Sequence, residues 1–156
     1  MSMNRRHFLK GTSGATVMAL AASAGLLGAG AAEASTWNEN AFKAKNLNET
    51  VKALGGQTAT ESKDITITSP DIAENGAVVP VSVSSKLANV ESMSILVEKN
   101  PNSLAASFNI PQGTEAFVST RVKMGQTSNV HAVVKAGGQY YYATKEIKVT
   151  LGGCGG

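Results

Sequence analysis

Asn75-Gly76-Ala77-Val78-Val79-Pro80-Val81-Ser82-Val83-Ser84 is the stretch that decides the fold. An Asn-Gly turn pair opens it, and Val79, Val81 and Val83 then fall on one face. Successive side chains of a strand point to opposite faces, so this alternation marks a strand with one face on a core. Pro80 has no N–H to give to a ladder and predicts an edge or a bulge there.

Working outward, the same texture recurs on both sides. Asp64-Ile65-Thr66-Ile67-Thr68 alternates before it. After it come Val90 to Glu98, closed by Asn100-Pro101-Asn102, and Leu104 to Ile110, stopped by Pro111-Gln112-Gly113. Ala116 to Met124 places Val118, Val122 and Met124 together, and Gly125-Gln126 turns the chain. Val130, Ala132 and Val134 alternate next, and Gly137-Gly138 leads into Tyr140 to Leu151, where Lys145, Ile147, Val149 and Leu151 share a face. Seven such runs predict a mainly β domain over 56–151, an immunoglobulin-like antiparallel β-sandwich of two sheets. Upstream, Phe42, Leu47, Val51 and Leu54 recur at helical spacing. They predict one short N-terminal helix within 35–55, capped by Asn38 or Asn40 and ended by Gly55-Gly56. Trp37 and Phe42 are expected to pack against the domain.

The first 34 residues read differently, as a cleaved export signal. Arg5-Arg6 with Phe8 and Lys10 precede an uncharged Ala/Gly-rich run, and Ala32-Glu33-Ala34 supplies small residues around a cleavage point. The arginine pair predicts the twin-arginine route and a periplasmic location. That run is long enough to raise a membrane anchor, but its weak hydrophobicity and the cleavage pattern favour removal, leaving no membrane segment.

The whole chain carries 156 residues and a net charge of +3. Loss of the signal leaves 122 residues with 11 basic and 10 acidic side chains. A near-neutral domain has no electrostatic case for nucleic acid or an anionic membrane. The remaining His131, Cys154, Met93 and Met124 are too few for a metal or haem site, and no glycine-rich phosphate loop follows a strand. Neither metal nor cofactor is expected. The twin-arginine route carries folded proteins, so a partner that is exported together with this chain is the expected reason for its use.

The chain ends Gly152-Gly153-Cys154-Gly155-Gly156. Four glycines leave the backbone free and the single thiol open on both sides. Five extended residues span about 17 Å, enough for the sulfur to enter a narrow channel in another protein. No His, Lys or Arg lies within the tail to activate the thiol, and such a tail offers neither base nor oxyanion hole. The pattern therefore predicts a passive attachment point on a swinging arm, 152–156, with activation supplied by partner enzymes.

This ending, after a β run and behind a twin-arginine signal, resembles the SoxY family of bacterial thiosulfate oxidation. Pro70-Asp71-Ile72-Ala73-Glu74-Asn75-Gly76-Ala77-Val78-Val79-Pro80-Val81 resembles the family's central motif. Val97-Glu98-Lys99-Asn100-Pro101 and Val118-Ser119-Thr120-Arg121-Val122-Lys123-Met124 resemble later segments. The resemblance implies a non-catalytic carrier subunit whose sulfur cargo is held at Cys154, with no cofactor of its own. It implies a heterodimer with a SoxZ subunit, which lacks an export signal. A haem c-type enzyme attaches thiosulfate as a cysteine S-thiosulfonate, and a dimanganese hydrolase releases sulfate from it. In complete pathways a sulfane dehydrogenase acts on what remains.

Two other classes stay open on the residues alone: a thiol-dependent sulfurtransferase with Cys154 as nucleophile, and an adhesion or assembly module with an incidental cysteine. His131 is expected as a polar-face or interface histidine, on the side of its strand opposite Val130 and Val134. Tyr140, Tyr141 and Tyr142 are expected in sheet packing or at an interface. Glu98, Lys99, Arg121 and Lys123 are expected as solvated strand-face charges.

Overall fold

The computed structural model describes residues 38–150, so the signal, Trp37 and the Gly152–Gly156 tail lie outside the described residues. Two sheets face each other. The larger runs β1 (Ala59–Glu61), β9 (Gln139–Val149), β8 (Ser128–Ala136), β5 (Val90–Val97), β6 (Leu104–Asn109), with β3 (Ile72–Ala73) also paired to β9. The smaller runs β2 (Ile65–Thr68), β4 (Val79–Ser85), β7 (Phe117–Val122). The chain is mainly β, in two sheets, as the alternating runs predict.

The predicted alternation is the packing. Val79, Val81, Val83, Val118 and Val122 of the small sheet meet Met93, Ile95, Val97, Val130, Ala132, Val134 and Ile147 of the large one. Burying each of the larger side chains is worth about 1.5–3 kcal/mol, which makes this interface the main source of stability. The outer face of the large sheet is also covered. Leu96, Leu104, Val133 and Tyr140 form a second core with Ala41 and Val51 from the helical segment. Phe42 packs against this second cluster, as expected.

Three features differ from the sequence expectation. The helical segment is two helices, α1 (Glu39–Lys43) and α2 (Leu47–Ala53). Asn38 caps the first and Asn46 the second, accepting from the Glu49 N–H at 2.9 Å while Glu49 Oε2 accepts from the Lys45 N–H at 2.8 Å. This reciprocal capping box needs an extended Ala44, which breaks the helix and leaves its carbonyl free to accept from Ser103 N–H. The predicted end holds: Gly55 adopts φ +93°, and the N–H groups of Gly55 and Gly56 reach back to the carbonyls of Lys52 and Val51.

The sandwich is antiparallel except at β9, where the short strands β1 and β3 both pair parallel. Finally, β4 is the central strand of its sheet rather than an edge. Pro80 is tolerated because the β2 ladder stops at Thr68 opposite Ser82, so nothing pairs with Pro80 on that side.

Candidate functional site

Since Cys154 and its flanking glycines lie outside the described residues, what the structure places is the root from which they continue. That root is the end of β9. Its ladder with β8 runs from Gln139 to Ile147, opposite Ser128, where β8 begins. The three residues after Ile147 have no β8 partner, yet each has its backbone N–H bound. Lys148 N–H donates to Asp71 O at 2.9 Å and Thr150 N–H to Ala73 O at 3.1 Å. Val149 N–H, pointing to the opposite edge as strand geometry requires, donates to Thr127 Oγ1 at 2.9 Å.

The loop that supplies two of those acceptors is 69–78, between β2 and β4. Lys145, near the end of the ladder, holds its start: Nζ donates to Ser69 O at 2.7 Å and pairs with Asp71 Oδ1 at 2.9 Å. Asn75 makes the predicted turn, its side chain accepting from Ala77 N–H at 2.9 Å and its carbonyl from Val78 N–H. Gly76 accepts from Met124 N–H at 2.6 Å, and a Cβ added to it would lie 2.8 Å from Val149 Cγ1 and against Met124 O. Glycine stands there for close approach. Ile72 and Val78, 56% and 51% exposed, are carried on the same loop.

The other candidates lie on strands or just after them. His131 faces away from Val130 and Val134, with Nδ1 2.8 Å from Thr144 Oγ1 and Nε2 3.7 Å from Glu98 Oε2. Burial holds its pKa below the ordinary imidazole value, outweighing the attraction of Glu98. Tyr142 meets it edge-on at 6.5 Å. Tyr140 is buried and donates to Leu54 O at 2.6 Å, whereas Tyr141 packs against the core between the sheets. Glu98, Lys99, Arg121 and Lys123 are exposed, and Glu98 also accepts from Asn129 Nδ2 at 2.9 Å. Among the described residues, no three His, Cys, Asp or Glu side chains cluster as metal ligands, and no helix is long and apolar enough to cross a membrane. A cavity of about 490 Å³ lies at the opposite end of the sandwich, between Lys86, Glu91, Ile110 and Thr114.

Asp71, Ala73, Gly76, Thr127 and Lys145 were not legible as site residues. Asp71 and Ala73 reach the end of β9 through a two-residue parallel pairing that carries no periodicity, and Thr127 through a single side-chain acceptor. The Asn75-Gly76 dipeptide signals only its turn.

The family model described as "Sulfur oxidation protein SoxY" matches residues 51–154, well over half of the chain. The chain belongs to the SoxY family. Among solved structures it is similar to the sulfur carrier protein SoxY from Chlorobium limicola f thiosulfatophilum, with 39% identity and a TM-score of 0.59, over 65% of this chain and 92% of that one. A superoxide reductase (neelaredoxin) from Ignicoccus hospitalis shares the fold at 18% identity and a TM-score of 0.50, over 55% of this chain and 80% of that one. No curated protein matches.

Proposed function

We propose that the chain is a covalent sulfur carrier of thiosulfate oxidation, with the Cys154 thiol as the attachment point on a Gly152–Gly156 arm. The observation that carries this reading is the family match, which runs through residue 154 and so takes in the thiol. The likeness to a protein described as a sulfur carrier supports the same role. The firm root supports it too, since the backbone N–H groups of Lys148, Val149 and Thr150, shortly before Cys154 in sequence, are all bound.

The chemistry asked of this chain is modest. On loading, the outer sulfur of thiosulfate bonds to Cys154 Sγ, the thiol proton is lost, and two electrons pass to a haem c-type partner. The product is an S-thiosulfonate. A dimanganese hydrolase then adds water across the terminal sulfur–sulfur bond, sulfate leaves, and a persulfide stays on the arm for a sulfane dehydrogenase. The chain contributes tethering and access; the partners contribute activation, and no resident cofactor is needed. It works in the periplasm, after twin-arginine export and signal removal, as a heterodimer with a co-exported SoxZ-like subunit.

The test is reconstitution of the chain and its partner subunit with the haem c-type enzyme and thiosulfate, followed by peptide mass analysis. A sulfur adduct at Cys154 that is absent from a normally folded Cys154→Ser chain is expected. Turnover of thiosulfate by the isolated chain would instead make it a sulfurtransferase. Normal sulfur oxidation by Cys154→Ser would make the cysteine incidental.

A further inference from the structure

An asparagine followed by glycine is open to attack on its own side chain. The next backbone nitrogen can close a five-membered ring on the amide carbon, and glycine has no side chain to hinder it. Asn75-Gly76 is the single such pair in the sequence. Glycine is not replaceable there, because a Cβ on it would press on Met124 O and lie 2.8 Å from Val149 Cγ1.

Folding suppresses this chemistry where it occupies the groups that must react. At Asn75 it leaves them available. The residue is exposed on loop 69–78, just before β4. Its Oδ1 accepts from the Ala77 N–H at 2.9 Å, which folds the side chain back along residue 76 and draws electrons from the amide carbon. Among the described residues, nothing accepts the Gly76 N–H and nothing binds Asn75 Nδ2, so the attacking nitrogen and the leaving group are both free. Asn102-Ser103, where a small residue also follows asparagine, is the contrast. Ser103 is fully buried, and its N–H is held by the Ala44 carbonyl at 3.0 Å.

We propose that Asn75 is a self-modification site, at which the folded chain deamidates through a succinimide without an enzyme. The Gly76 nitrogen bonds to Asn75 Cγ, the Cγ–Nδ2 bond breaks, and ammonia leaves with the proton of the Gly76 amide. Water then opens the ring. Opening at Cγ leaves aspartate; opening at the backbone carbonyl carbon of residue 75 leaves isoaspartate, with the chain running through Cγ. Water is taken up, ammonia is released, and no oxidant or reductant takes part.

The two products act differently on the loop. Aspartate keeps an oxygen for the Ala77 N–H and adds a negative charge to a loop that already carries Asp71 and Glu74. Isoaspartate inserts a backbone carbon ahead of Gly76, which is buried and has no room to shift. The bonds from Met124 N–H to the Gly76 carbonyl, 2.6 Å, and from Val78 N–H to the Asn75 carbonyl, 3.3 Å, are then lost. None of this depends on whether the chain carries sulfur.

The experiment incubates the full chain at neutral pH in water enriched in heavy oxygen. The peptides holding Asn75 and Asn102 are then followed by mass, with isoaspartate separated from aspartate by chromatography. Label is expected at residue 75 in both products, at least about tenfold faster than at Asn102, whose attacking nitrogen would first have to give up a hydrogen bond. Asn75→Gln, which would need a six-membered ring, is expected to take up label no faster than Asn102. Tyr140→Phe loosens the helical layer and leaves loop 69–78 alone, so it separates a reaction of the folded turn from one that waits for unfolding. Labelling at the parent rate is expected; a rise of about fivefold or more, tracking the unfolded fraction, overturns the proposal. Equal labelling of Asn75 and Asn102 also overturns it, as does an Asn75 that takes up label only in urea. Amide exchange reads the consequence: quickened at Val78 and Met124 in the isolated isoaspartyl chain, unchanged in Asn75→Asp. Parent-like exchange in the isoaspartyl chain would overturn the assigned effect on the loop.

Discussion

Tyr140→Phe isolates one contact between the helical layer and the large sheet. Tyr140 is 6% exposed, and its hydroxyl donates to the carbonyl of Leu54, the residue that caps α2, at 2.6 Å. Phenylalanine keeps the ring in the second core with Val51, Leu96 and Val133, so apolar burial is unchanged and only the hydrogen bond is lost. A net hydrogen bond is worth about 1–1.5 kcal/mol, and a helix-end carbonyl left without its partner places the loss at the upper end. For the 113 described residues the unfolding entropy is about 0.24 kcal/mol per kelvin, so Tm falls by about 4–6 °C. Thermal and urea unfolding followed by circular dichroism reads both Tm and the m-value, and m is expected to hold because the buried area does. Tyr140 lies near the start of the ladder that ends at Ile147, about seven strand residues or 24 Å away, so the reactivity of Cys154 should not change. A Tm shift below about 1 °C would refute the assignment of the hydroxyl as a fastening between layers. Altered thiol reactivity would refute the separation of the helical layer from the root.

Asn46→Ala removes both the cap of α2 and one half of the capping box with Glu49; a loss of about 1 kcal/mol is expected in urea unfolding, with the sheet amides still protected from exchange. His131 carries a pKa lowered by burial, so the unfolded chain binds a proton that the folded chain resists. Its contribution to stability is complete above about pH 6.5 and declines as pH falls below that value. His131→Gln is expected to flatten the fall in stability between about pH 7 and pH 5, and an unchanged slope would contradict the assignment. Replacing Ile147, fully buried at the end of the β8 ladder, by alanine should cost about 2–5 kcal/mol and is checked by the same unfolding measurement.

The strands were legible where one face is buried and the other wet. Val79, Val81 and Val83 alternate with Pro80, Ser82 and Ser84, and the structure buries the valines. Alternation fades where both faces are covered: Met93 to Val97 is buried throughout, because the sandwich core lies on one side and α1 and α2 on the other. That second core is the reason the helical segment is present, and it is not readable from strand periodicity. The break between α1 and α2 did carry a signal, Asn46 with Glu49 three residues on, but the continuous spacing of Phe42, Leu47 and Val51 masked it. β1 and β3 are too short for any period, and only the ladder of β9 defines them. At the site the division is sharper. The thiol and its glycines are legible as chemistry from residue type and spacing alone. The residues that hold its root are invisible until the chain is folded, since Asp71, Gly76, Thr127 and Lys145 meet only through β9.

The central claim is that Cys154 carries sulfur in the cell. It is tested most directly by intact-protein mass spectrometry of periplasmic material from thiosulfate-grown cells, with the adduct mapped to the C-terminal peptide. Sulfur-containing adducts confined to Cys154, on a chain that has lost its first 34 residues, are the expected result. A Cys154 thiol that stays unmodified while thiosulfate is being oxidised would contradict it.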